Sequence, residues 1–137
     1  MVDVQSFKDD RNVAIQKVGV KGLRYPITLL DKAEKYQHTT ATVNLFADLP
    51  HDFKGTHMSR FIEIFEEYRS DLSMPNVIKM LKKLRIELNA QTTYTDIHFP
   101  YFIKKTAPVS EQTSIMNYEC FYEAKKKEKG HRFIAGV

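Results

Sequence analysis

The sequence predicts an α+β domain, an antiparallel sheet with two helices packed on one face. Three observations predict it. Strand-like alternation flanks the middle of the chain, two amphipathic helical stripes fill that middle, and no linker or internal repeat divides the 137 residues. A chain of this length buries roughly two-thirds of its unfolded surface, enough for one core. Residues 1–137 therefore read as a single module.

The first strand region runs Val13–Val20 and continues through Leu23–Leu30, with Gly19 and Gly22 marking a bulge or bend. Pro26 suggests an edge position or another irregularity, because proline donates no ladder hydrogen bond. Asp31–Gln37 is polar and reads as a connection. In His38–Leu49, Ala41, Val43, Leu45 and Ala47 then fall on one face, and Thr40, Thr42, Asn44, Phe46 and Asp48 on the other. Pro50 to Thr56 breaks this strand.

Met58, Phe61, Ile62, Phe65 and Arg69 follow an i, i+3, i+4, i+7 stripe, with Glu63, Glu66 and Glu67 facing out. Thr56 or Ser59 is the expected cap of this helix. A second helix starts near Ser73-Met74-Pro75, where Ser caps and Pro fits the first turn. Its stripe is Val77, Met80, Leu81, Leu84 and Leu88, with Lys79, Lys82, Lys83 and Arg85 facing mostly outward. Thr92–Lys105 alternates again, with Thr95, Ile97, Phe99, Tyr101 and Ile103 against Tyr94, Asp96, His98 and Lys104. Thr113–Lys125 is a further strand, Lys126–Gly130 a turn, and His131–Val137 opens a strand that stops in mid-pattern. That ending leads us to expect the first part of a longer protein.

Apolar residues at 42% and charged residues at 28% exclude a disordered tail or a low-complexity linker. Apolar runs such as Ile27–Leu30 are too short to span a bilayer, and the first residues lack the pattern of a signal peptide. No membrane partner is expected. A single cysteine forms no internal disulfide, which fits a reducing, cytoplasmic setting. The net charge of +4 favours anionic ligands but is too small to argue for nucleic acid. Basic and aromatic residues do not read as interleaved on one face, so no nucleic-acid partner is expected. Lys125, Lys126, Lys127 and Lys129 read as a solvated hairpin tip.

The histidines His38, His51, His57, His98 and His131 form no close metal-binding pair. His98 reads as a surface strand residue. Cys120 lies in a strand, with no glycine or helix start to lower its pKa, and reads as structural. Lys54-Gly55-Thr56-His57-Met58-Ser59-Arg60 is more informative. It sets cationic and hydroxyl side chains at a helix N-terminus, where unpaired N–H groups and the helix dipole favour an anion. Arg60 can clamp a phosphate through two hydrogen bonds. A capped helix start whose basic residues pair with Asp48 or Asp52 fits the same spacing.

Several motifs resemble the type IB GTP cyclohydrolases. Val18 to Ile27 (VGVKGLRYPI) resembles their opening motif. Gln37-His38-Thr39, Asp48-Leu49-Pro50-His51 and Phe53 to Phe61 (FKGTHMSRF) resemble the central one. Phe99 to Lys105 (FPYFIKK), followed by Ala107-Pro108-Val109-Ser110, resembles the third. The resemblance runs from Val4 to the last residue. It implies the tunnelling fold, whose modules insert two helices between the second and third strands of an antiparallel sheet. It also implies two tandem modules, a homotetramer, and active sites at module interfaces.

The implied reaction opens the imidazole ring of GTP, releases formate and forms 7,8-dihydroneopterin triphosphate, the entry to folate synthesis. A divalent metal, whether zinc, manganese or another, activates the attacking water. The family's metal-binding cysteine lies in a Pro-Cys-Ser context that would follow Val137, and its acidic ligands belong to the second module. No catalytic residue or metal ligand is therefore carried over to this chain. What the resemblance does carry is the helix start. His57, Ser59 and Arg60 are the expected contacts to the GTP phosphates, and Lys54, Thr56, Lys21 and Arg24 are weaker candidates. The alternative expectation is a non-catalytic module of the same fold that forms a barrel with partner chains.

Overall fold

The computed structural model describes residues 14–31, 35–50 and 58–137. Its elements are strand β1 (Ile15–Asp31), strand β2 (Lys35–Pro50), helix α1 (Met58–Tyr68), helix α2 (Met74–Leu88), strand β3 (Thr92–Thr106), strand β4 (Thr113–Lys127) and strand β5 (His131–Gly136). The strands form one sheet in the order β1-β2-β3-β4-β5, each pair antiparallel. The α+β expectation of an antiparallel sheet holds, and the two helices lie between the second and third described strands.

Period-two patterning sets the layers. Ala41, Val43, Leu45, Ala47 and Leu49 of β2 are all buried, and every intervening residue keeps some exposure. Helix α2 lies over this face with Val77, Met80, Leu81, Leu84 and Leu88, the stripe read from the sequence. Ser73 caps α2 by accepting the Asn76 N–H, and Asn89 ends the helix in the left-handed conformation. Thr93 donates to the Leu81 carbonyl at 2.8 Å, which ties the helix to β3 inside the core. Arg85, expected to face outward, is half-buried, because its guanidinium turns back to donate to the Ala90 carbonyl at 3.3 Å.

Helix α1 departs from its expected stripe. Phe61, Ile64 and Phe65 are buried, whereas Ile62 is only half-buried. The contact face is rotated toward Ile64 because the chain after α1 docks on the edge of the sheet. There Thr28 donates to the Arg69 carbonyl and accepts from Leu72, two backbone bonds that cap part of the β1 edge. Around them, the Tyr25 hydroxyl donates to Glu66, Arg69 Nε donates to Glu66 at 2.8 Å, and the Tyr25 ring meets Phe65 edge-on at 5.5 Å. The Tyr25-Pro26-Ile27 stretch thus serves to seat α1. Ser59 lies inside the helix and is not its cap; Thr56 falls outside the described residues.

Other expectations shift at element ends. The 31–37 connection is shorter than read, because Lys35, Tyr36 and Gln37 pair with β1. Pro26 does lie on an edge strand, and the register breaks between Val20 and Leu23 as the two glycines suggested. The glycines act differently. Gly22 has φ 71, and its N–H donates to the Asn44 side chain. A Cβ on Gly19 would stand 1.8 Å from the Leu45 carbonyl oxygen.

The β2–β3 ladder spans Thr42–Ala47 opposite Thr93–His98 and then stops near Pro100, which has no N–H to give. Side chains take over from there. Thr39 Oγ1 donates to the Pro100 carbonyl at 2.9 Å. Gln37 both donates to the Phe102 carbonyl and accepts its N–H, at 2.9 and 2.7 Å. Beyond this point β3 and β4 continue as a ribbon to Thr106 and Thr113.

Two outcomes are expected. Gly19→Ala forces the backbone apart and lowers stability by about 3 kcal/mol, whereas Gly22→Ala, with open space around it, lowers it by about 1 kcal/mol; urea titration of both variants measures the difference. Hydrogen bonds from Tyr25 and then Arg69 hold the Glu66 carboxyl below its usual range. The stability it adds is present above about pH 4.3 and is lost as pH falls through the lowered value. Glu66→Gln should flatten that part of the stability–pH curve, read by thermal melts between pH 6 and pH 3.

Candidate functional site

Helix α1 opens at Met58, so Ser59 and Arg60 sit in its first turn, both exposed. His57, Lys54 and Thr56 lie outside the described residues, as does Asp52. No acidic side chain occupies that first turn, which leaves the positive end of the helix dipole unneutralised from within the helix.

Arg60 does not pair with Asp48, whose carboxylate instead accepts the Tyr94 hydroxyl. Its Nη1 donates to Glu87 Oε1 at 2.5 Å, and its Nε lies 3.9 Å from Glu63. Glu87 projects from the last turn of α2, which ends beside the start of α1. Lys83 joins the group, 3.9 Å from Glu87 and 2.6 Å from Glu67. The Arg60 side chain keeps 48% of its surface open. An exposed pair of this kind adds about 0.2–1 kcal/mol. A carboxylate at a helix C-terminus opposes the dipole by a similar amount, about 0.3–1 kcal/mol. The two effects nearly cancel, so the contact does little for stability.

A second feature lies on the sheet face away from the helices. A groove of about 320 Å³ is lined by Lys17, Phe46, Tyr94, Asp96, Glu123, Lys125 and Arg132, among others. The Lys17 ammonium stands 4.1 Å from the Tyr94 ring centre. Burial, and then the bond to Asp48, raise the Tyr94 pKa. Lys125 therefore belongs to a strand facing this groove, while Lys126, which donates to the Gly130 carbonyl at 3.3 Å, Lys127 and Lys129 lie at the hairpin tip as expected. Basic and aromatic residues do interleave here, contrary to the sequence expectation. The register Phe46–Tyr94–Lys125–Arg132 across four strands creates that row, and no single segment contains it. Asp96 and Glu123 occupy the next row, so the groove carries both signs of charge. Lys21 and Arg24 are exposed on β1, away from Arg60's contacts.

Among the described residues no three His, Cys, Asp or Glu side chains gather where a metal ion could sit. His98 is exposed and stacks on Phe121 at 5.8 Å, and His38 Nδ1 lies 3.0 Å from the Thr28 hydroxyl. Cys120 is half-buried beside Phe99, Tyr101 and Tyr122, and burial, then Glu119, push its thiol pKa up. That is the wrong direction for a thiolate ligand or nucleophile.

The family model for "Type I GTP cyclohydrolase folE2" matches residues 1–137, the whole chain. The chain belongs to that family. Among similar proteins, one named GTP cyclohydrolase FolE2 from Syntrophus aciditrophicus (strain SB) is 48% identical over 137 residues, covering 100% of this chain and 54% of the relative. Proteins of the same name from Syntrophotalea carbinolica and Pseudothermotoga lettingae are each 47% identical, with 51% and 53% of their lengths covered. The chain spans about half the length of these curated relatives. No helix in the described structure is long and apolar enough to cross a membrane.

Glu87 was missed by the sequence reading. Its i, i+4 spacing from Lys83 is visible in the sequence, but its approach to Arg60 depends on how α1 and α2 pack. For Cys120 the expected outcome is slow alkylation. Iodoacetamide at pH 7.5 should modify the native thiol several-fold more slowly than the urea-unfolded chain, by mass spectrometry, and equal rates would contradict the raised pKa.

Proposed function

We propose that this chain is the N-terminal half of a GTP cyclohydrolase. The full protein opens the imidazole ring of GTP by hydrolysis, releases formate and yields 7,8-dihydroneopterin triphosphate for folate synthesis. The match of the family model to all 137 residues carries this reading. The roughly twofold greater length of the relatives supports a second half outside this sequence.

On this reading the chain is one tunnelling-fold module. Among the described strands β1 and β5 lie at the two edges of the sheet, which supports closure into a barrel with further modules. A homotetramer in the cytoplasm belongs to the same proposal. The divalent metal would supply an activated water for attack on the purine ring. Among the described residues no cluster fits such an ion, and on this reading its ligands belong to the other half.

This chain's own contribution is the phosphate grip. Ser59 and Arg60 stand in the first turn of α1, and His57 precedes that helix in the sequence. On this reading all three hold the triphosphate, to which a helix N-terminus, a guanidinium and a hydroxyl are suited. The exposed Arg60 fork supports this role. In the full-length protein, Arg60→Ala should weaken GTP binding about tenfold or more, the size expected for a charged hydrogen bond. Calorimetric titration with GTP, alongside circular dichroism to confirm folding, measures it. Wild-type affinity in a folded variant would remove Arg60 from the site.

A further inference from the structure

We infer that Glu87 of α2 is a positioning residue for Arg60, fixing its guanidinium so that the remaining N–H donors present to a phosphate tail. The inference rests on the phosphate-binding reading of α1. Three features carry it.

First, Glu87 takes one donor, and Glu63, 3.9 Å from Nε, is too far to hydrogen-bond, so the other N–H groups of the fork make no hydrogen bond among the described residues. A guanidinium offers five N–H groups, and only Nη1 reaches Glu87, at 2.5 Å. A carboxylate meant to neutralise Arg60 would engage two parallel donors and occupy the edge that clamps an anion. Second, Glu87 is the better-anchored partner. Its side chain is 29% exposed against 48% for Arg60. Lys83 steadies it from 3.9 Å and is itself held by Glu67 at 2.6 Å. The chain Glu67–Lys83–Glu87–Arg60 thus runs across both helices and ends at the exposed guanidinium. Third, Glu87 breaks a local rule. A carboxylate in the last turn opposes the helix dipole, and violations without a stability gain concentrate where function requires them.

The physical effect is preorganisation. An arginine at an exposed helix start must give up rotamer freedom when it binds an anion, and a side chain already held in place has less to lose. Glu87→Gln in the full-length protein keeps the shape and removes the charge. KM for GTP should rise about fivefold, and kcat should fall by less than KM rises. Glu87→Asp, which keeps a carboxylate, should recover part of the loss. Adding Glu87→Gln to Arg60→Ala should change nothing further, because the residue being positioned is gone.

A KM for Glu87→Gln at or below the wild-type value overturns the inference while leaving the phosphate reading standing, provided Arg60→Ala is weak. A lowered melting midpoint with unchanged KM likewise reduces the contact to a structural one and overturns it. If Arg60→Ala itself binds GTP normally, the phosphate reading falls and this inference falls with it.

Discussion

Everything in this module depends on one face of β2. Ala41, Val43, Leu45, Ala47 and Leu49 turn to the same side, and none of them has a polar atom in its side chain to satisfy. That face must be covered, and helices of the lengths seen here cover it. Small residues at positions 41 and 47 let the covering layer come close, so the larger Phe61, Phe65, Met80 and Leu84 complete the packing. Once both helices are packed on this side of the sheet, α1 against β1 and α2 chiefly over β3 and β4, their ends are fixed too. The start of α1 and the end of α2 meet at the rim, and this meeting brings Arg60 and Glu87 within hydrogen-bonding distance. A largely apolar core thus sets the geometry of this polar corner of the molecule.

The two faces of the sheet divide the labour. The helix side is dry and close-packed. The other side is wet and carries charges of both signs over an aromatic floor formed by Phe46 and Tyr94. Such a surface suits neither a membrane nor the uniform negative charge of a nucleic-acid backbone, which asks for an excess of cations.

Much of this was legible in the sequence, for definite reasons. The α2 stripe and its Ser73 cap were read correctly because both signals are local: a 3.6-residue period and a hydroxyl one turn ahead of its partner. Strand β2 was read for the same reason. On α1 the sequence pattern places Ile62 on the buried face where Ile64 lies, because the segment after it is bound to the β1 edge through Thr28, a contact between distant residues. At the candidate site, Arg60 and Ser59 were visible as helix-start chemistry. Glu87 and the row from Phe46 to Arg132 were not, since each forms only when separate elements come into register. Charge partners chosen from sequence neighbours, such as Asp48 for Arg60, fail where the nearer carboxylate in space lies on another helix.

The handover from ladder to side chains at Pro100 has an evolutionary corollary. Where main-chain groups join two strands, almost any residue can occupy the position and the join survives. Where Gln37 and Thr39 make the join, its strength depends on those side chains. The outer ribbon of β3 and β4 is therefore the part of the sheet whose stiffness a lineage can adjust by point mutation, without touching the folded body beneath it.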